Sequence, residues 1–223
     1  MESAKPIVVI TGVSGYLGSY VCDYFLKDGS YRVRGTVRDI KNEKKIKPLR
    51  DAFGPLFDQL ELVEADLLKP ESLEKAIEGC TYVVHTASPF PLSAPKNEDD
   101  LIKPAVEGTL SVMRAALKNK VKRVVVTSSI ASIIEHIPEN TKDVYSEEDW
   151  SEVKACGPYS KSKTLAEKAA WDFLQDLPES ERFELVVINP SFILGPTLIP
   201  GDFSSAEIIS KIMKGKFPGM PVI

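Results

Sequence analysis

The chain has 223 residues, 43% of them hydrophobic and 27% charged, with a net charge of -4 and a pI near 5.4. That is enough chain and apolar content for one large α/β core, and it excludes an intrinsically disordered polymer. The mild negative balance excludes a global basic field that would draw in nucleic acid or an anionic membrane, so a small molecule is the expected partner.

The N-terminal Met1-Glu2-Ser3-Ala4-Lys5-Pro6 runs into a first strand without a signal-like apolar region. Ile7 to Ile10 is a short apolar, β-branched run that breaks at Thr11-Gly12, and glycines recur at Gly12, Gly15 and Gly18 before a helical pattern begins. The order is strand, tight turn, helix N-terminus. Gly12 can take a backbone conformation closed to other residues, and Gly15 removes a Cβ where a pyrophosphate would lie. Gly18 lets the helix sit closely on the strand, so first-turn N–H groups face an anion. Alone, such a triplet also fits an ordinary turn.

Val21, Tyr24, Phe25 and Leu26 follow helical spacing until Gly29-Ser30 stops the helix. A second strand, Tyr31 to Val37, ends at Arg38, where a dinucleotide-binding fold chooses its cofactor. An arginine there clamps a 2′-phosphate or stacks on adenine, and Lys41, Lys44 and Lys45 add positive charge. NADPH is therefore expected over NADH, although Asp39 keeps NADH open and the lysines also fit the solvated face of a helix. Leu60 to Ala65 reads as a third strand. Asp66 then either accepts from an adenine amino group, with Leu67 against the ring, or serves as a turn or cap aspartate.

A helix over Ser72 to Ile77 ends at Gly79, and Tyr82 to Ala87 is the fourth strand. The turn Ala87-Ser88-Pro89-Phe90 leaves its carboxyl end, where such sheets bind ligands. His85, inside that strand, reads as a satisfied core histidine, and His136 has no partner at metal-ligand spacing. No metal is expected. Asp99 to Lys118 forms a long helix, Val121 to Ser129 a fifth strand, and Pro138 to Cys156 a loop long enough to be a flap. Tyr159 opens a helix continuing through Leu165, Ala169, Trp171 and Leu174. Phe183 to Asn189 is the sixth strand, closed by Pro190-Ser191, and a short helix near Ser205 to Lys214 precedes a proline-glycine tail. Six alternations of strand and helix predict a doubly wound parallel sheet ordered 3-2-1-4-5-6. Residues 1–191 would hold the dinucleotide and the catalytic groups, and 192–223 would begin a substrate-binding region.

No apolar run approaches ~18 residues, so no transmembrane helix is expected. Cys22, Cys80 and Cys156 are odd in number, far apart and without a CxxC pair. They fit unpaired thiols in a reducing compartment, which makes the cytoplasm the expected setting.

Tyr159 and Lys163 lie four residues apart on one helix face. A phenol near pKa 10 is a poor acid-base group at neutral pH, and an adjacent ammonium favours its phenolate. Ser129, at the end of the fifth strand, can hydrogen-bond a carbonyl beside the tyrosine. The three together read as proton donor, tuner and orienting donor, with Ser128 as the second choice of serine.

These pieces, Thr11-Gly12-Val13-Ser14-Gly15-Tyr16-Leu17-Gly18, Val37-Arg38, His85 to Pro89, Thr127-Ser128-Ser129, Tyr159 to Trp171 and Asn189-Pro190-Ser191, resemble the extended short-chain dehydrogenase/reductases. The similarity is to the group holding dihydroflavonol 4-reductases, cinnamoyl-CoA reductases and yeast methylglyoxal reductases. The resemblance implies hydride transfer from NADPH to an aldehyde or ketone, with Tyr159 donating the proton, Ser129 holding the carbonyl and Lys163 also bonding the nicotinamide ribose. It implies cofactor contacts at Thr11, Gly12, Gly15, Tyr16, Leu17, Gly18, Arg38, Lys44, Asp66, Leu67, Thr86, Ala87, Ser88, Thr127, Tyr159, Lys163, Pro190 and Ser191, the last two at the carboxamide. Many members carry an asparagine where this chain has Ala105, which removes the anchor of a water relay to the lysine. Members also run on well past the length of this chain, which implies a fragment or an incomplete substrate lobe. Both monomers and homodimers occur among them. A hydroxysteroid dehydrogenase, a sugar-nucleotide epimerase and a non-catalytic NADP(H)-binding scaffold are the alternatives.

Overall fold

The structure is a computed structural model that describes residues 4–88, 97–201 and 203–216. Pro89 and Phe90 of the expected turn, Met1 to Ser3 and the proline-glycine tail from Phe217 lie outside the described residues. Strand β1 (Ile7–Thr11) is central in a six-stranded parallel sheet ordered β3-β2-β1-β4-β5-β6, with β2 Arg32–Val37, β3 Leu60–Glu64, β4 Tyr82–His85, β5 Arg123–Thr127 and β6 Glu184–Ile188. The helices between them are α1 (Tyr16–Asp28), α2 (Glu43–Phe53), α3 (Pro70–Ile77), α4 (Asp99–Lys118) and α5 (Pro158–Gln175), followed by α6 (Ser204–Met213). Both the sheet order and the doubly wound plan are those expected.

The apolar run of β1 feeds both layers, because successive strand residues point to opposite faces. Val8 and Ile10 join Leu26, Leu49 and Phe53 in the layer under α1 and α2. Val9 joins Val83, Val124, Met113 and Ala170 in the layer under α3, α4 and α5. Each such side chain withdrawn from water contributes about 1.5–3 kcal/mol. This explains why central strands of a parallel sheet read as unbroken apolar runs. The edge strand β6 differs, with Ile188 50% exposed.

Several boundaries depart from expectation for local reasons. Helix α1 begins at Tyr16, so Gly18 lies inside its first turn, and Tyr24 faces solvent at 75% exposure rather than the core. Strand β4 stops at His85 because Thr86 and Ala87 turn to bond Thr11: Thr86 Oγ1 donates to the Thr11 carbonyl at 2.6 Å, and the Ala87 N–H to Thr11 Oγ1 at 3.1 Å. Strand β5 starts two residues later than Val121, after Lys120 in a left-handed conformation (φ 53°), and ends at Thr127, before a 3-10 turn over Ile130–Ser132.

The expected flap is fastened down. The Ser151 N–H donates to the Ser132 carbonyl at 2.8 Å, Ser151 Oγ to the Ala131 carbonyl at 2.9 Å, and the Glu152 N–H to the Glu135 carbonyl at 2.7 Å. His136 stacks on Tyr145 with ring centroids 5.1 Å apart. Beyond β6 the chain returns across the top of the sheet to α1. Tyr16 Oη donates to the Gly195 carbonyl and Tyr20 Oη to the Pro196 carbonyl, both at 2.9 Å, and Phe203 stacks on Tyr16 at 5.5 Å.

Candidate active site

The glycine loop joins β1 to α1. Gly12 adopts φ +73°, a conformation open to glycine, and a Cβ there would also stand 3.0 Å from the Ala87 Cβ. At Gly18 a Cβ would fall 2.3 Å from the Gly12 carbonyl oxygen and 2.8 Å from Thr86 Oγ1. These two glycines therefore let the loop close on itself. A Cβ on Gly15 would meet only the Gly12 oxygen, at 3.2 Å, so that position borders open space, and Gly15 caps α1 without a side-chain hydrogen bond. The open side of the loop presents the positive end of α1, which suits a pyrophosphate.

Thr11 and Thr86, expected at the cofactor, have their hydroxyls committed inside the fold. Thr11 Oγ1 lies 2.8 Å from His85 Nδ1 while accepting from Ala87, and Thr86 holds the Thr11 carbonyl. His85 is buried, and burial together with the charge of Lys163 lowers its pKa from 6.5 to about 4. It is a neutral structural histidine, as expected from its place inside a strand.

Arg38 and Lys44 are exposed beyond the end of β2, without a side-chain partner among the described residues. Asp39 Oδ1 accepts from the Lys41 N–H at 2.8 Å and thereby closes a turn. Asp66 does the same for Leu68 at 3.0 Å, which is the turn reading of that residue. Leu67 packs against Gly108 of α4, where a Cβ would come within 3.2 Å of it.

The catalytic candidates converge where β4 and β5 end beside α5. The Tyr159 phenol hydrogen-bonds the Ser129 hydroxyl, whereas Ser128 Oγ lies 3.4 Å from Ser132 Oγ. Geometry thus brings Ser129 to the tyrosine. Lys163 Nζ sits 5.9 Å from the Tyr159 ring centroid and donates to Ser88 Oγ at 3.1 Å. Burial raises the Tyr159 pKa above its ordinary value, and the Ser129 hydrogen bond only partly opposes it. Desolvation is thus the larger cause in this structure, and the phenol keeps its proton at neutral pH. Lys163 is itself lowered from 10.5 to about 8 by desolvation, against the raising effect of Glu167.

Glu167, Ser132 and Asn189 form a buried network that sequence reasoning missed. Glu167 Oε2 accepts from Ser132 Oγ at 2.6 Å and from Asn189 Nδ2 at 2.8 Å. Asn189 Nδ2 also reaches the Ser129 carbonyl at 3.2 Å. The Pro190 carbonyl accepts from the Ile130 N–H at 3.1 Å, so the end of β6 is tied to the turn carrying Ser129, while Ser191 is exposed. The available signal was spacing: Glu167 continues the Tyr159, Lys163 series by four more residues. Thr127, Ala105 and Ala87 border a small cavity shared with Lys163 and Glu167. Among the described residues no group of three or more His, Cys, Asp or Glu is placed to hold a metal ion, and no helix is long and apolar enough to cross a membrane.

The chain is 41% identical over 221 residues to tetraketide alpha-pyrone reductase 1 of Arabidopsis thaliana, covering 97% of this chain and 66% of the relative. It is 37% identical over 208 residues to the bifunctional dihydroflavonol 4-reductase/flavanone 4-reductase of Malus domestica, covering 90% and 58%. Among solved structures, yeast methylglyoxal/isovaleraldehyde reductase Gre2 complexed with NADPH matches with a TM-score of 0.79 at 30% identity, covering 93% of this chain and 66% of that one. Vestitone reductase from alfalfa (Medicago sativa) matches with a TM-score of 0.74 at 32% identity, covering 93% and 63%. The chain thus spans slightly under two thirds of the length of these relatives. With the family model matching residues 8–218, the chain belongs to the NAD dependent epimerase/dehydratase family.

Proposed function

We propose that the chain carries the cofactor-binding and catalytic part of an NADPH-dependent reductase of aldehydes or ketones. The observation that carries this reading is the protonated, half-buried Tyr159 phenol bonded to Ser129, with Lys163 behind it and the glycine loop at the same end of the sheet. The residues fit a dinucleotide: the uncapped α1 terminus and the space beside Gly15 suit the pyrophosphate. Arg38 and Lys44 suit a 2′-phosphate, since Asp39 is engaged in its own turn. Lys163 and the backbone at Ala87 and Ser88 suit the nicotinamide ribose. Reductases related to this chain include one solved with NADPH, which supports the cofactor assignment.

When bound, NADPH supplies the hydride. Ser129 orients the carbonyl oxygen, and Tyr159 gives that oxygen its phenolic proton as charge develops there. Lys163, held as ammonium, steadies the negative charge left on Tyr159. The partner is a small carbonyl compound, and the unpaired Cys22, Cys80 and Cys156 support a reducing, cytoplasmic setting. The test is loss of NADPH absorbance with aldehydes, α-dicarbonyls and dihydroflavonols, alongside titration of NADPH binding. Turnover with any of them supports a reductase; binding without turnover across the panel in this chain, and also in a version extended to the length of its relatives, overturns it.

A further inference from the structure

Glu167 is a buried carboxylate that the proposed reaction does not use. One of its oxygens takes two hydrogen bonds, from Ser132 and Asn189. No direct ion pair joins it to Lys163, four residues earlier on α5. Both side chains instead border a cavity with about 20 Å³ of room for water centres, which is enough for a single molecule. The lining mixes apolar and polar groups, with His85, Ser128 and Thr109 beside the two charges, and Ala105 on α4 leaves the room that a larger side chain would fill.

We propose that Glu167 is a positioning residue for the catalytic site: through one water in this cavity it holds Lys163 as ammonium, and through Ser132 and Asn189 it fixes the turn that presents Ser129. This rests on the reductase reading for its catalytic meaning, but the charge linkage itself does not.

The groups facing Lys163 define the balance. Tyr159 and Glu167 face it from α5 and His85 from β4, while β5 and α4 contribute hydroxyls but no further charge at the cavity. With His85 neutral and Tyr159 protonated, Glu167 is the one anion facing the ammonium among the described residues. Desolvation pushes Lys163 towards the amine, and Glu167 opposes it. The same carboxylate that locks Ser129 in place therefore also keeps a cation available at the tyrosine.

The test is a titration of the full chain with ¹³C-labelled lysine, following the Lys163 Cε signal, assigned by its loss in Lys163→Arg. Glu167→Gln keeps the shape and both hydrogen-bond acceptances but removes the charge. The Lys163 midpoint is expected to fall by about one pH unit, and the alkaline limb of NADPH-dependent turnover to move down with it. Should Glu167→Gln fail to fold, Glu167→Asp, which keeps the charge but withdraws it by one methylene, is expected to lower the midpoint by a smaller amount. An unchanged midpoint in the folded variant overturns the proposal and leaves Glu167 as a structural acceptor only. A lowered midpoint in Glu167→Gln, with no turnover by the unmutated chain or by its extended version, upholds the charge linkage while removing the reductase reading, so the two failures are told apart.

Discussion

The glycine loop and the end of β5 face the same rim of the sheet but are built in opposite ways. At the loop the chain strips away side chains: Gly12, Gly15 and Gly18 leave backbone and an uncapped helix end, and the nearby Arg38 and Lys44 stand free in solvent. At β5 it fills the space with side chains bonded to one another, from Tyr159 to Ser129 and on through Asn189, Ser132 and Glu167. A binding region keeps its hydrogen-bonding groups available for a ligand, whereas a catalytic region spends its own on holding a few atoms in fixed positions.

The two halves should therefore fail differently when altered. The largest effect belongs to the catalytic half: Tyr159→Phe is expected to lower turnover by about 10²- to 10⁴-fold with NADPH affinity nearly unchanged, measured by steady-state rates beside a binding titration. Equal losses in both would merge the two regions into one.

His85 spans the seam, bonded to Thr11 below the glycine loop. Its folded pKa of about 4 lies below the ordinary 6.5, so unfolded chains take up a proton that the folded one refuses. Stability is full above about pH 6.5 and falls as the pH drops towards 4, by on the order of 3 kcal/mol. Urea midpoints against pH would show it, and His85→Gln should flatten the acid limb.

In the binding half, Gly18→Ala sets a Cβ against the Gly12 carbonyl and is expected to cost about 1–3 kcal/mol of stability, together with NADPH affinity, read by thermal melting and titration. Retention of both would show that the loop can relax. The smallest effect is Arg38→Ala, expected to weaken NADPH about tenfold while sparing NADH; equal losses would remove Arg38 from the 2′-phosphate.

Much of this was legible in sequence because it depends on short spacing. The unbroken apolar run of β1, the glycine triplet and the four-residue step from Tyr159 to Lys163 are local patterns, and they suffice for the sheet order and for placing Tyr159 and Lys163 on one helix. What was not legible depends on groups far apart in the chain. Glu167 looks like any charged helix residue until Ser132 and Asn189 are folded against it. Thr11 and Thr86 stand in sequence only as expected cofactor contacts, and the fold alone shows each hydroxyl holding the other's strand. The direction of the Tyr159 shift also needed the fold, since sequence shows the neighbouring lysine but not the burial that raises the phenol's pKa.

Ile199 is 3% exposed and packs in the layer of Val8, Leu26 and Leu49. Residues of β1, α1 and α2 thus wait for one that lies beyond β6 before their side of the sheet is sealed. On the ribosome the first three strands emerge with this layer incomplete, and closing it requires a loop spanning most of the chain, whose entropic cost grows only slowly with length. The layer under α1 and α2 therefore reaches its final packing only after β6 has emerged and the chain has turned back.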